Sequence, residues 1–140
     1  AFQRFIVVVS VSNEKSSNMP FHVVWRSADG GKSWNQVSPH SSSVSQIGGG
    51  DGLATNFALV AISSSLFMLG GSNTGTASKA IQRSDDGGET WTFAGLAPWK
   101  GRWSFGHLVS DEEEGTVVVA GGFAGWKIRY SDVWTGIFGA

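Results

Sequence analysis

Ser27-Ala28-Asp29-Gly30-Gly31-Lys32-Ser33-Trp34 and Ser84-Asp85-Asp86-Gly87-Gly88-Glu89-Thr90-Trp91 share five of their eight residues in register, 57 positions apart. A repeat at such a period marks one supersecondary unit copied along the chain. Around each copy the residues have the composition of β-strands. Phe5 to Val11 and Val23-Val24-Trp25 are rich in β-branched and aromatic residues, as strands are. Phe57 to Ile62 and Leu66 to Leu69 flank Ser63-Ser64-Ser65, which predicts a hairpin. Leu108-Val109 and Thr116 to Ala120 flank Asp111-Glu112-Glu113-Glu114-Gly115, a second hairpin with a charged, solvated turn. Gly70-Gly71 and Gly121-Gly122 close the second strand of each hairpin.

These marks align into a four-strand unit. Strand one leads through a polar turn to strand two, which ends at Gly-Gly; strand three runs into the Ser-x-Asp-x-Gly turn, and strand four starts at the Trp. The complete unit is expected at about 57–63, 66–70, 78–84 and 91–95. The unit before it lacks strand one (5–11, 22–27, 34–38), and the unit after it lacks strand four (104–110, 116–121, 128–134). That makes ten strands in a 3-4-3 pattern. Val24 to Ser27, Ile81 to Ser84 and Val133 to Gly136 take the same place in the three units.

The composition sets limits. The 140 residues suffice for one domain or part of one. A net charge of -1 with 15% charged residues argues against nucleic-acid binding, which needs a basic stripe. There is no cysteine, hence no disulfide framework and no thiolate metal site. His22, His40 and His107 lack zinc-ligand spacing, and Asp85-Asp86 alone falls short of the oxygen shell that calcium requires. No metal or cofactor is expected. No apolar run is long enough to span a membrane. The Gly48 to Gly52 stretch has no Lys-Ser/Thr behind it and is not a phosphate loop.

The two eight-residue stretches resemble the Asp-box, or bacterial neuraminidase repeat, through Ser27, Asp29, Gly31 and Trp34 and through Ser84, Asp86, Gly88 and Trp91. The spacing of Gly-Gly from strand three, with Tyr130-Ser131-Asp132-Val133-Trp134 in the last unit, is similar to the kelch repeat. Both families build β-propellers from four-stranded antiparallel blades. The resemblance implies an all-β fold, a partial β-propeller of about two and a half to three blades. Blade 1 is expected at 1–40, a linker at 41–52, blade 2 at 53–98 and blade 3 at 99–140. It also implies that the Asp-box turns are structural, lying at the outer rim of a blade. Glycine at 30–31 and 87–88 permits positive φ, the Asp carboxylates accept from turn N–H groups, and Trp34 and Trp91 fold back as lids.

Trp25, Trp34, Trp91 and Trp134 recur at repeat positions and are expected in packing. Trp99, Arg102, Trp103, Trp126 and Lys127 do not recur. They set flat aromatics beside cations in loops, a composition favoured at protein interfaces. The leading expectation is a non-enzymatic binding or scaffold module that takes protein partners through these loops and through open blade edges. A fragment of a sialidase-like glycoside hydrolase is the alternative, but the arginine-isoleucine-proline signature of that family is missing and Tyr130 is the one tyrosine, set in a strand pattern. A glycan-binding lectin is a further alternative. A closed propeller needs more blades than these, and the chain starts with Ala1 and not Met. A fragment of a longer propeller, or a subunit whose edges other chains cover, is therefore expected.

Overall fold

A computed structural model of the chain describes residues 5–13, 20–38, 56–73, 76–105, 107–111, 114–125 and 127–137. The expected linker at 41–52 lies outside them. The described residues hold twelve strands and no helix. Sheet 1 contains β1 (Ile6–Asn13), β2 (Pro20–Ser27) and β3 (Asn35–Ser38), in that order. Sheet 2 is formed by β4 (Ala58–Ile62), β5 (Ser65–Leu69), β8 (Ala80–Ser84) and β9 (Thr92–Leu96), in the order β4-β5-β8-β9. Sheet 3 is β10 (His107–Asp111), β11 (Thr116–Ala120) and β12 (Val133–Ile137). A two-stranded ribbon, β6 (Ser72–Asn73) with β7 (Thr76–Ala77), stands apart. All pairings are antiparallel.

The units repeat to the residue. Ile6 opposes Ser27 in sheet 1, and Leu66 opposes Ser84 in sheet 2. A bulge falls between Val24 and Trp25 and again between Ile81 and Gln82, so Val37 and Ala94 are the extra residues of the outer strands. In sheet 3, Val133 opposes Ala120 as Ile81 opposes Leu69. Two expectations need correction. The last strand starts at Val133 and not at 128, because residues 123–125 and 127–130 lie in a loop tied by backbone bonds to residues 103 and 122. The ribbon β6-β7 was not foreseen, since four small residues, three of them polar, carry no periodicity.

The sheets stack face to face. Leu66, Met68 and Trp91 form one apolar layer with Leu59 and Ala61, against Val7 and Val9 of sheet 1. Val60, Ile62, Phe67 and Leu69 form a second layer with Trp99, against Val117 and Val119 of sheet 3. Sheet 2 is thus covered on both faces, and all five residues of β5 are buried. This explains a continuous apolar run where a one-sided strand would alternate. Each fully buried Leu, Val or Phe side chain contributes about 1.5–3 kcal/mol.

The turn at 84–91 in sheet 2 is itself a contact between sheets. Gly87 and Gly88 lie against Arg26 and Val24 of β2, and Arg26 pairs with Glu89 at 3.8 Å. Gly31 and Gly88 have nearly the same φ, +92° and +95°, so alanine strains both backbones alike. A Cβ at Gly88 would lie 2.7 Å from Val24 Cγ1, while one at Gly31 meets nothing closer than 3.8 Å among the described residues. Gly88→Ala is expected to lower stability by about 1–3 kcal/mol more than Gly31→Ala does. Denaturant midpoints of the two variants measure the difference, and equal midpoints would refute the sheet 1–sheet 2 contact.

Candidate partner-binding surface

The register divides each sheet into two ends. At one end lie the hairpin turn at 63–64 and the turns at 27–34 and 84–91; at the other lie Gly70-Gly71, Gly121-Gly122 and the long loops. The turns at 27–34 and 84–91 satisfy themselves. Ser27 Oγ donates to Asp29 Oδ1 at 2.8 Å and accepts the Gly31 N–H at 2.8 Å. Asp29 also accepts the N–H groups of Lys32 and Ser33 and the Ser33 hydroxyl. Ser84, Asp86, Gly88 and Thr90 repeat this pattern, with the Gly88 N–H and the Thr90 N–H at 2.8 and 2.9 Å. Each Trp indole closes its turn by donating to the glycine carbonyl, Trp34 to Gly31 at 3.0 Å and Trp91 to Gly88 at 3.1 Å. The two lids then differ: Trp91 is buried, whereas Trp34 stays exposed because no sheet lies on it among the described residues.

These bonds hold the carboxylates ionised. Hydrogen bonds from Ser33 and Ser27 bring Asp29 down from 3.8 to about 2. At Asp86 burial pulls upward, but bonds from Thr90 and Ser84 outweigh it and the pKa falls. Asp85 is lowered by the Ser65 hydroxyl and by Arg83.

The opposite end is organised by Arg102, which is 1% exposed. Its Nη1 and Nη2 grip Asp132 Oδ1 and Oδ2 at 2.6 and 2.9 Å. Nη1 also donates to the Gly121 carbonyl at 3.0 Å and Nε to the Lys100 carbonyl at 3.2 Å. The guanidinium lies 4.2 Å from the Tyr130 ring centroid. Such a forked, always charged group suits a buried pair. The same Asp132 accepts from Trp134 Nε1, and Arg102 with Trp134 holds its carboxyl well below the usual range.

The paired glycines make room for this segment. Gly70 has φ +63°, and a Cβ there would lie 2.5 Å from the Arg102 carbonyl oxygen. Gly71 N–H donates to that carbonyl, and Arg102 N–H donates to Ser78. On the other side Trp103 and Phe123 exchange two backbone bonds at 2.8 and 2.9 Å, and Phe123 bridges Arg129. Residues 97–105 are thus stitched to sheets 2 and 3 together. The loop they support exposes Phe123, Lys127, Ile128 and Arg129, with the Arg129 guanidinium 6.0 Å from the Phe123 ring.

Of the five expected anchors, two are corrected. Arg102 is spent inside the fold. Trp99 is buried, its ring 6.2 Å from that of Trp134, and its indole N–H finds no acceptor among the described residues. Trp103 is half-buried and Lys127 is exposed. Trp126 lies outside the described residues. Tyr130 lies in the loop before β12 and not in a strand. Phe123, Ile128 and Arg129 were missed, although the Gly121-Gly122 that precedes Phe123 marks the loop. No group of three or more His, Cys, Asp or Glu that could hold a metal occurs among the described residues, and no helix of theirs is long and apolar enough to cross a membrane.

No family model matches the sequence, and no curated protein matches it. A solved structure of YjhT aligns with a TM-score of 0.67 over 96% of this chain at 16% identity. At that identity the likeness concerns the fold alone. The chain spans about half the length of that structure, 47%.

Asp86→Ala strands the Thr90 N–H and frees Ser84, and is expected to cost about 1–3 kcal/mol in a thermal melt. Asp132→Asn leaves a buried guanidinium short of its counter-charge. Removing one partner of a fully buried pair costs about 3–5 kcal/mol; since Asp132 is 39% exposed, a loss of about 2–3 kcal/mol is expected. For acid, the sign follows from the lowered pKa of Asp29, Asp85, Asp86 and Asp132. Their folded forms bind protons less readily than the unfolded chain, so their contribution is present above 3.8, the ordinary value, and is lost as pH falls below it through each lowered folded value, about 2 for Asp29. Melting temperatures should hold steady from neutral pH down to 3.8 and drop below it.

Proposed function

We propose that this chain is a run of Asp-box β-propeller blades, about two and a half to three of them, that acts as a non-enzymatic binding or scaffold module within a longer propeller or a larger assembly. What supports the blade reading is the repetition of the Asp-box hydrogen bonds, the register and the bulge on successive sheets stacked face to face. The observation that carries the binding role is the loop at the Gly-Gly end. Phe123 and Ile128 are held in water beside Lys127 and Arg129, on a backbone fixed by the buried Arg102. Preorganising apolar and cationic groups this way lowers the entropy lost on docking. The partner this suits is a protein surface with an apolar patch bordered by acidic residues.

The sialidase-like alternative fits the geometry less well. A general acid must hold its proton near neutral pH, and the four carboxylates with resolved shifts are all pushed the other way. Tyr130, the tyrosine that a nucleophile role would need, is stacked under the Arg102 guanidinium.

Photo-crosslinkers placed at Ile128 and at Lys32 test the role in the native complex. A partner captured from position 128 and lost in Phe123→Ala is the expected result. Capture from position 32 alone would place docking at the Asp-box end instead. Turnover of a fluorogenic sialoside by the purified chain, abolished in Tyr130→Phe, would replace the scaffold reading with the enzymatic one.

A further inference from the structure

Among the described residues eleven glycines have a positive φ, and three other residues do: Asn56 at 57°, Ser63 at 54° and Ser104 at 47°. Ser63 sits in the two-residue hairpin turn between β4 and β5, where such angles are the rule. Asn56 and Ser104 have no hairpin to serve. They take the same place in successive sheets, just ahead of the edge strands β4 and β10, which lie side by side. In both, the next side chain, Phe57 or Phe105, packs against an apolar layer and the polar side chain stays exposed. Glycine would take that angle freely, asparagine takes it at a cost and serine at a larger one. A polar side chain is kept here where the backbone alone gives no reason for one.

The two lie together. The Ser104 N–H donates to the Asn56 carbonyl at 3.0 Å. Neither side chain has a hydrogen-bond partner among the described residues. Trp103, next to Ser104, exchanges two backbone bonds with Phe123, so the Cα atoms of Ser104 and Phe123 are within about 10 Å of each other. About three residues of an extended chain cover that distance. Arg129 lies beside Phe123. The order across this end is therefore amide and hydroxyl, aromatic ring, cation. Its free charges have one sign: Lys79, Lys100, Lys127 and Arg129 are exposed there, and Asp132, the one acid there among the described residues, is bound to Arg102. Further sheets stacked on sheet 1 or sheet 3 would leave this end of sheets 2 and 3 in place.

Resting on the docking reading above, we infer that Asn56 and Ser104 hold the main chain of an extended peptide segment of the partner, whose side chains then reach Phe123 and Arg129. The chemistry divides the work. An asparagine amide carries one acceptor and two donors, and a peptide group presents the matching N–H and C=O. The Ser104 hydroxyl serves as donor or acceptor. Neither group is charged, so they suit the partner's main chain, while the four cations attract its acidic side chains. The Phe123 ring takes an apolar side chain and Arg129 an acidic one. Backbone bonds tie Ser104 to Asn56 and Trp103 to Phe123, so these groups are set before the partner arrives.

The test uses the native complex with a photo-crosslinker at Ile128, in the wild type, in Asn56→Gly and in Ser104→Gly. Glycine accepts the same φ, so the backbone stays and only the side chain goes. At limiting partner, capture from position 128 is expected to fall about three- to tenfold in each variant, the worth of one hydrogen bond, with the melting temperature held. The captured segment, mapped by mass spectrometry and made as a synthetic peptide, should bind the wild type. N-methylation of the contacted amide should weaken that binding by a like factor and leave binding to the matching glycine variant unchanged. Capture undiminished in both glycine variants, or a captured surface that no single peptide reproduces, overturns the inference and leaves docking through Phe123 and Ile128 standing. Glycan-array binding that Asn56→Gly abolishes, with capture undiminished, would give the pair to a sugar instead. No capture from position 128 in the wild type removes the docking reading and this inference together.

Discussion

Strand β5 has no face toward water. Leu66 and Met68 point to sheet 1, Phe67 and Leu69 to sheet 3, and all four are buried. Sheet 2 can shed that much apolar surface only with a sheet against each side, so the stacking is a condition of its stability. Other features follow from it. Strand β11 has to be apolar where Val117 and Val119 meet the second layer, and Val24 has to lie close enough to Gly88 to leave no room for a side chain.

Stacking also explains why the two ends of the sheets differ in character. At the end that holds residues 27–34 and 84–91, short turns consume their own polar groups. Serine, aspartate and the indole N–H bond within eight residues, and little is left to bind anything else. At the Gly-Gly end, the chain passes from one sheet to the next. Its backbone has to touch both, which is why Gly70 and Gly122 give way to the backbone and side chain of residues 102 and 103. Long loops with side chains to spare collect there. The proposed docking function belongs to that end for this reason.

Arg102 shows how a residue type can mislead. An arginine between two tryptophans has the composition of an interface anchor. Its partner Asp132 lies 30 positions away, just before β12, and nothing in the local sequence joins them. Once paired, the guanidinium becomes the brace on which Tyr130 and the Gly121 carbonyl rest. The side chains left exposed on that loop are Phe123, Ile128 and Arg129.

The sequence by itself determined the all-β class, the 3-4-3 order of the main strands and the internal bonding of the turns. Each is local: β-branched runs extend, glycines permit positive φ, and an aspartate bonds N–H groups three and four residues on. Only the tertiary structure decided the start of β12, the burial of Trp99 and Arg102, and the opposite fates of Trp34 and Trp91. Those two tryptophans occupy the same place in nearly the same turn and make the same hydrogen bond. One is buried and the other exposed because a sheet lies over the first and none of the described residues covers the second. Burial depends on what the rest of the chain brings alongside, and a repeat read along one dimension does not contain that.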